Sequence, residues 1–154
     1  MCLSVFLVVE PVGRPGHVLL GRIDPTADWA TVGGLDPGRV ERVGRRWMLP
    51  SSQLLLFESP DEAATRIARE QLGVSLPGLA GPTVFSEAYR SAGTDGDPHW
   101  DLHFVYRAQW PGDRFPASAP FAELEFVDLA RTSRTEIARA QADVLELVGL
   151  RAAP

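Results

Sequence analysis

Three charged side chains around one stretch carry most of the chemistry in this sequence. Glu58 precedes a helix-like segment, and Arg66 and Glu70 lie within it. Arg66 and Glu70 stand at i and i+4, so they share one helix face. A carboxylate on a helix face, a second in the preceding loop and an arginine between them can bind a hard cation such as Mg²⁺. A magnesium ion held by carboxylates and phosphate oxygens is a usual way to activate a phosphoanhydride for hydrolysis. The plainer reading makes Glu58 and Glu70 solvated surface acids, with Glu70 paired to Arg66.

Those groups need a scaffold, and the neighbouring residues carry its signals. Ser59 reads as an N-cap and Pro60 as the first helical residue. Glu62, three positions after the cap, completes a capping box. Asp61 and Glu62 complement the positive end of the helix dipole. Ala64, Ala68 and Leu72 form an apolar stripe, widened by Ala63 and Ile67, and Gly73 supplies a C-cap. The spacing therefore predicts a helix over Pro60 to Leu72.

Upstream, Cys2 to Glu10 reads as a buried strand. His17 to Ile23 reads as the second strand of a hairpin across the Gly13-Arg14-Pro15-Gly16 turn. Asp24 to Gly38, rich in Gly, Pro and Asp, reads as a loop. Arg39 to Met48 reads as a further strand. Downstream, Thr83 to Ser91 and Trp100 to Gln109 read as a hairpin joined by Gly93 to Pro98. Pro111 to Pro120 reads as a loop, Glu123 to Leu129 as a short strand and Thr132 to Val148 as a second helix. Strands, a helix, more strands and a helix predict a mixed α/β sandwich with one helix on each side of a sheet. No repeat or domain boundary interrupts the order, so residues 1–154 are expected to form a single domain.

The stretch from Leu49 to Val74 resembles the Nudix box, G-x5-E-x7-R-E-U-x-E-E-x-G-U, where U is a bulky aliphatic residue. Glu58 falls on the loop glutamate, Arg66 on the arginine, Glu70 on the first residue of the glutamate pair, Gly73 on the glycine and Val74 on the last aliphatic position. Three positions depart from the pattern. Ser52 stands for the first glycine, Ile67 for the glutamate after the arginine and Gln71 for the second glutamate of the pair.

The resemblance implies an α/β fold: a Nudix-like α/β/α sandwich with a mixed sheet, a box loop–helix and a C-terminal helix. It implies Mg²⁺ or Mn²⁺ held by Glu58 and Glu70, with Gln71 as a weak neutral ligand and Arg66 orienting the cluster. Ile67 cannot bind a metal, so two carboxylates of the pattern are missing. Glu123 or Glu125 would have to supply one, with the role of a base, and Glu123 is grouped with Glu70 and Arg66 as a candidate catalytic residue. Arg45 and Arg46 are candidate phosphate-binding residues; the bland alternative is a solvated strand face. The expected function is that of a divergent Nudix hydrolase-like protein. It would act on or bind a nucleoside diphosphate-linked or nucleoside triphosphate compound, with metal-dependent pyrophosphohydrolysis weak or lost. The alternative is a non-catalytic ligand sensor or protein-interaction domain. The apolar run Leu54 to Phe57 is either core or an interface, and its burial decides which. Dimers are common among proteins of this kind, which leaves a homodimer open.

Composition narrows the remaining classes. The formal charge is -5, which argues against a nucleic-acid polymer as partner. All 15 basic residues are arginine, which excludes a catalytic lysine. A single cysteine, Cys2, excludes an internal disulfide framework and a cysteine-based zinc cluster. No apolar run approaches the about 20 residues of a membrane span, and no secretory signal pattern precedes the first strand. The expected location is the cytoplasm. His99, Asp101 and His103 alternate on one strand face and could chelate a metal, although a wet polar face is the commoner reason for such a pattern. Trp29, Trp47, Trp100 and Tyr106 are expected in the core or an interface rather than in a base-stacking cage.

Overall fold

The computed structural model describes residues 2–90, 98–116, 120–138, 140–152 and 154. In chain order the elements are β1 (Cys2–Pro11), β2 (His17–Ile23), α1 (Trp29–Gly33), α2 (Pro37–Val43), β3 (Ser51–Gln53) and α3 (Pro60–Leu72). They continue with β4 (Ala80–Arg90), β5 (Pro98–Trp110), β6 (Phe121–Asp128) and α4 (Gln141–Leu147). A four-stranded mixed sheet has the order β3-β1-β5-β4. Its β1–β5 pair is parallel, and its β1–β3 and β4–β5 pairs are antiparallel. A second sheet pairs β2 with β6 antiparallel.

The period-2 alternation of β1 sorts its side chains between two cores. Val5, Leu7 and Val9 join Ala63, Ala64, Ile67, Ala68 and Leu72 of α3. Phe6 and Val8 join Ala142, Val144 and Leu145 of α4. The two helices therefore cover opposite faces, which is the expected α/β/α sandwich. Strand β2 divides its residues in the same way: Leu19 and Ile23 face one core, Val18 and Leu20 the other. Gly21 is required by a close approach, because a Cβ there would lie 2.3 Å from the ring of Phe121 on β6.

The α3 helix has the bounds its sequence signals give. Ser59 Oγ accepts from the Glu62 amide at 3.3 Å, and the Ser59 amide donates to Glu62 Oε2 at 2.8 Å. Gly73 closes the helix at φ 68°. A cap of this kind contributes about 1 kcal/mol. Tyr106 of β5 donates its hydroxyl to Asp61, which ties the first turn of α3 to the sheet. Burial first, and the Asp61 carboxylate second, raise the phenol's pKa well above its ordinary value.

Several expectations are corrected. β1 and β2 form no hairpin: β3 and β5 take the two edges of β1, and β2 pairs with β6. Asp24 to Gly38 is not simply a loop, because Asp28 caps α1 by accepting from the Thr31 amide at 3.2 Å. Arg39 to Met48 is not a strand. Asp36 accepts from the Arg39 amide at 2.9 Å, Pro37 occupies the first turn, and α2 ends at Gly44. Thr132 to Val148 is not one helix. The Glu136 carbonyl accepts from the Trp47 amide at 2.8 Å and the Ala138 amide donates to the Trp47 carbonyl at 2.7 Å. Those backbone groups are thereby withdrawn from helical bonding. Two 3-10 turns, Leu129–Arg131 and Arg134–Glu136, precede the shorter α4. The expected β4–β5 pairing is present, whereas residues 91–97 of its connection lie outside the described residues.

Candidate ligand site

The loop before α3 is held by one side chain. Arg66 Nε donates to Glu58 Oε1 at 2.6 Å, and its Nη2 donates to Glu58 Oε2 at 2.9 Å. The guanidinium also donates to the Gln53 carbonyl at 3.1 Å and to Ser52 Oγ at 3.5 Å. Glu58 Oε2 accepts in addition from the Leu55 amide at 3.0 Å. The guanidinium hydrogen bond holds the Glu58 carboxyl below its ordinary pKa against the opposing effect of burial, and Glu58 in turn raises that of Arg66. Glu70 stands further off, 3.7 Å from Arg66 Nη1 and 3.5 Å from Arg69 Nη2.

The next helix positions face inward. Ile67 and Gln71, one turn apart, are both 0% exposed. Gln71 Nε2 donates to the carbonyls of Val32 at 2.7 Å and Ser51 at 2.8 Å, while its Oε1 accepts from the Ser51 amide at 3.1 Å. This amide joins α1, β3 and α3. It can do so because a neutral side chain both donates and accepts; a carboxylate would face two carbonyl oxygens.

The other expected site residues are distributed elsewhere. Glu123 lies opposite Arg22 in the β2–β6 register, with an ion pair of 3.2 Å. Arg22 rests 4.1 Å over the Trp47 ring. Both Arg22 and Glu123 line a cavity of about 730 Å³ enclosed largely by α1, α2 and the β2–β6 pair. Arg45 lines it too, with Ile23, Leu35 and Val40 among its apolar walls. Arg46 is turned to the backbone, donating to the carbonyls of Arg42 at 2.8 Å and Thr135 at 3.3 Å. Glu58 and Arg66 line a separate, shallower groove with Leu55, Leu56 and Phe57. The structure therefore brings Glu58, Arg66 and Glu70 together and sets Glu123 and Arg45 around a different space.

Arg22 and the α1–α2 wall went unread in the sequence. The signals were present: Asp28 and Asp36 as N-caps, and Pro37 directly after the second. Trp29, Trp47 and Tyr106 are buried, as expected of core aromatics, whereas Trp100 is half exposed. His103 is buried beneath Phe6, ring centroids 5.3 Å apart, with Glu87 3.4 Å from its Nε2.

No family model matches the sequence, and no curated protein matches it. Solved structures do. A MutT NUDIX hydrolase from Burkholderia pseudomallei is 19% identical, with a TM-score of 0.62 over 96% of this chain and 97% of that one. A bifunctional NMN adenylyltransferase/ADP ribose pyrophosphatase from Francisella tularensis is 14% identical, with a TM-score of 0.61 over 96% of this chain and 40% of that one. The NUDIX domain of NrtR from Shewanella oneidensis, complexed with ADP ribose, is 14% identical, with a TM-score of 0.53 over 99% of this chain and 79% of that one. The chain has the Nudix hydrolase fold.

The fold implies a divalent metal on α3, and the residues present do not fit one there. Ile67 is apolar, Gln71 is committed to the backbone, and both Glu58 oxygens are engaged. Among the described residues no group of three or more His, Cys, Asp or Glu side chains is placed to hold a metal ion. Among them, too, no helix is long and apolar enough to cross a membrane.

Proposed function

We propose that this chain binds a nucleoside diphosphate-linked compound, or a nucleoside triphosphate, and hydrolyses it weakly or not at all. The observation that carries the reading is the burial of Gln71, whose amide brackets Val32 and Ser51 where the box pattern has a carboxylate. The cavity of about 730 Å³ supports the binding half, since ligand pockets fall in this size range. Its apolar walls suit a base or other flat group, its carboxylates suit hydroxyl donors, and Arg45 suits phosphate oxygens. The ADP ribose complex of a similarly folded domain lends support at the level of fold. The proposed setting is the cytoplasm.

The test follows ADP-ribose binding and phosphate-product release together, with Mg²⁺ and with Mn²⁺. Binding without turnover is expected. Efficient metal-dependent turnover would overturn the reading and return Glu70 and Glu123 to catalytic roles, whereas slow turnover falls within it.

A second reading, a protein-interaction domain, is favoured by one observation. Leu56 is 84% exposed and Phe57 97% exposed, beside half-exposed Leu55. The run Leu54 to Phe57 therefore contributes only Leu54 to the core.

A further inference from the structure

We infer that ligand binding in the α1–α2 cavity needs no divalent cation and that Arg45 supplies the counter-charge. The inference rests on the reading above that this cavity is the ligand site. Its first support is the state of the carboxylates near α3. Mg²⁺ demands oxygen ligands in near-octahedral geometry. Freeing Glu58 for that role would strand the buried Arg66 guanidinium, which is costly. Glu70 is then the one remaining box carboxylate, and it does not line the cavity.

The second support lies in the cavity itself. Two of its acids are already engaged: Asp28 accepts from the Thr31 hydroxyl at 2.7 Å and caps α1, and Glu123 pairs with Arg22 at 3.2 Å. Glu41, also on the wall, is exposed. Arg45, just beyond the Gly44 cap of α2, has no carboxylate within ion-pair distance among the described residues. A guanidinium presents a planar fork that meets two phosphate oxygens at once, and such charge-assisted pairs are among the strong hydrogen bonds. An exposed arginine on the cavity wall with no carboxylate partner among the described residues is therefore the natural seat for a ligand's phosphate.

Calorimetric titration of the whole chain with ADP-ribose and with pyrophosphate, in EDTA and in Mg²⁺, tests this. The dissociation constant for at least one probe is expected to agree between the two buffers within about twofold, and Arg45→Gln to weaken it about tenfold. Arg39→Gln, which removes a charge from α2 outside the cavity wall, is expected to bind as the parent does. Binding that appears only with Mg²⁺, or an Arg45→Gln protein that binds like the parent, overturns the inference while the ligand-site reading stands. No binding of either probe in either buffer overturns the ligand-site reading and the inference with it.

Discussion

Arg66 grips Glu58 through two hydrogen bonds, 2.6 Å from Nε and 2.9 Å from Nη2, across eight residues of loop and helix. The pair is largely shielded, with side-chain exposures of 10% and 12%. Its geometry is bidentate, so a lysine at position 66 could not reproduce it. It fixes the path of the loop that leads from the edge strand β3 into α3.

Removing the guanidinium leaves a shielded carboxylate with one remaining backbone donor. Arg66→Ala is expected to lower unfolding stability by about 3 kcal/mol. Chemical denaturation measures it, and an unchanged midpoint would show that the pair is dispensable.

The same pair has an acid signature. The folded-state pKa of Glu58 is depressed, chiefly by the Arg66 hydrogen bond. A group of this kind contributes stability above its unfolded pKa, about 4.3, and loses it as pH falls through the lower folded value. The stability gap between the parent and Glu58→Gln is therefore expected to be flat near neutrality and to shrink below about pH 4. Denaturation curves collected across that range decide it; a gap that widens in acid contradicts the assignment.

Gln71 is expected to resist conversion to the acid of the box pattern. Gln71→Glu replaces two donated hydrogen bonds with a carboxylate facing the Val32 and Ser51 carbonyls at 0% exposure. A loss of about 2–4 kcal/mol is expected from the unsatisfied carbonyls and the buried charge. The double variant Ile67→Glu, Gln71→Glu is expected to lose more stability and gain no Mn²⁺ binding. Paramagnetic resonance of added Mn²⁺ supplies the readout, and a new bound signal in a folded variant would refute the prediction.

Phe57 carries strain at the surface. It adopts φ 66° and is 97% exposed, so its ring gains little from packing. A left-handed backbone costs a residue with a Cβ roughly 1–2 kcal/mol relative to glycine. Phe57→Gly is accordingly expected to raise stability by about 0.5–1 kcal/mol. A lower melting temperature would mean that the ring makes contacts its exposure hides.

Local signals determined the parts of this chain whose causes are local. Ser59, Pro60, Glu62 and Gly73 placed both ends of α3, because caps are satisfied within a few residues. The continuous apolar run of β1 marked a buried strand, whereas the i, i+4 spacing pointed Arg66 toward Glu70 and the structure gives it chiefly to Glu58. What remained hidden depended on partners far along the chain. Asp36 and Pro37 announce α2, yet the arginines after them read equally well as a strand. Residues 132–148 carry a helical pattern that the bond between Trp47 and Glu136 interrupts. The partner of β2 proved to be β6, about a hundred residues away. The fate of position 71 was likewise tertiary: a glutamine in a box motif resembles a weakened ligand until α1 and β3 close around its amide. Hydrogen bonds to distant backbone, rather than residue type, decided which polar groups remain available to a ligand.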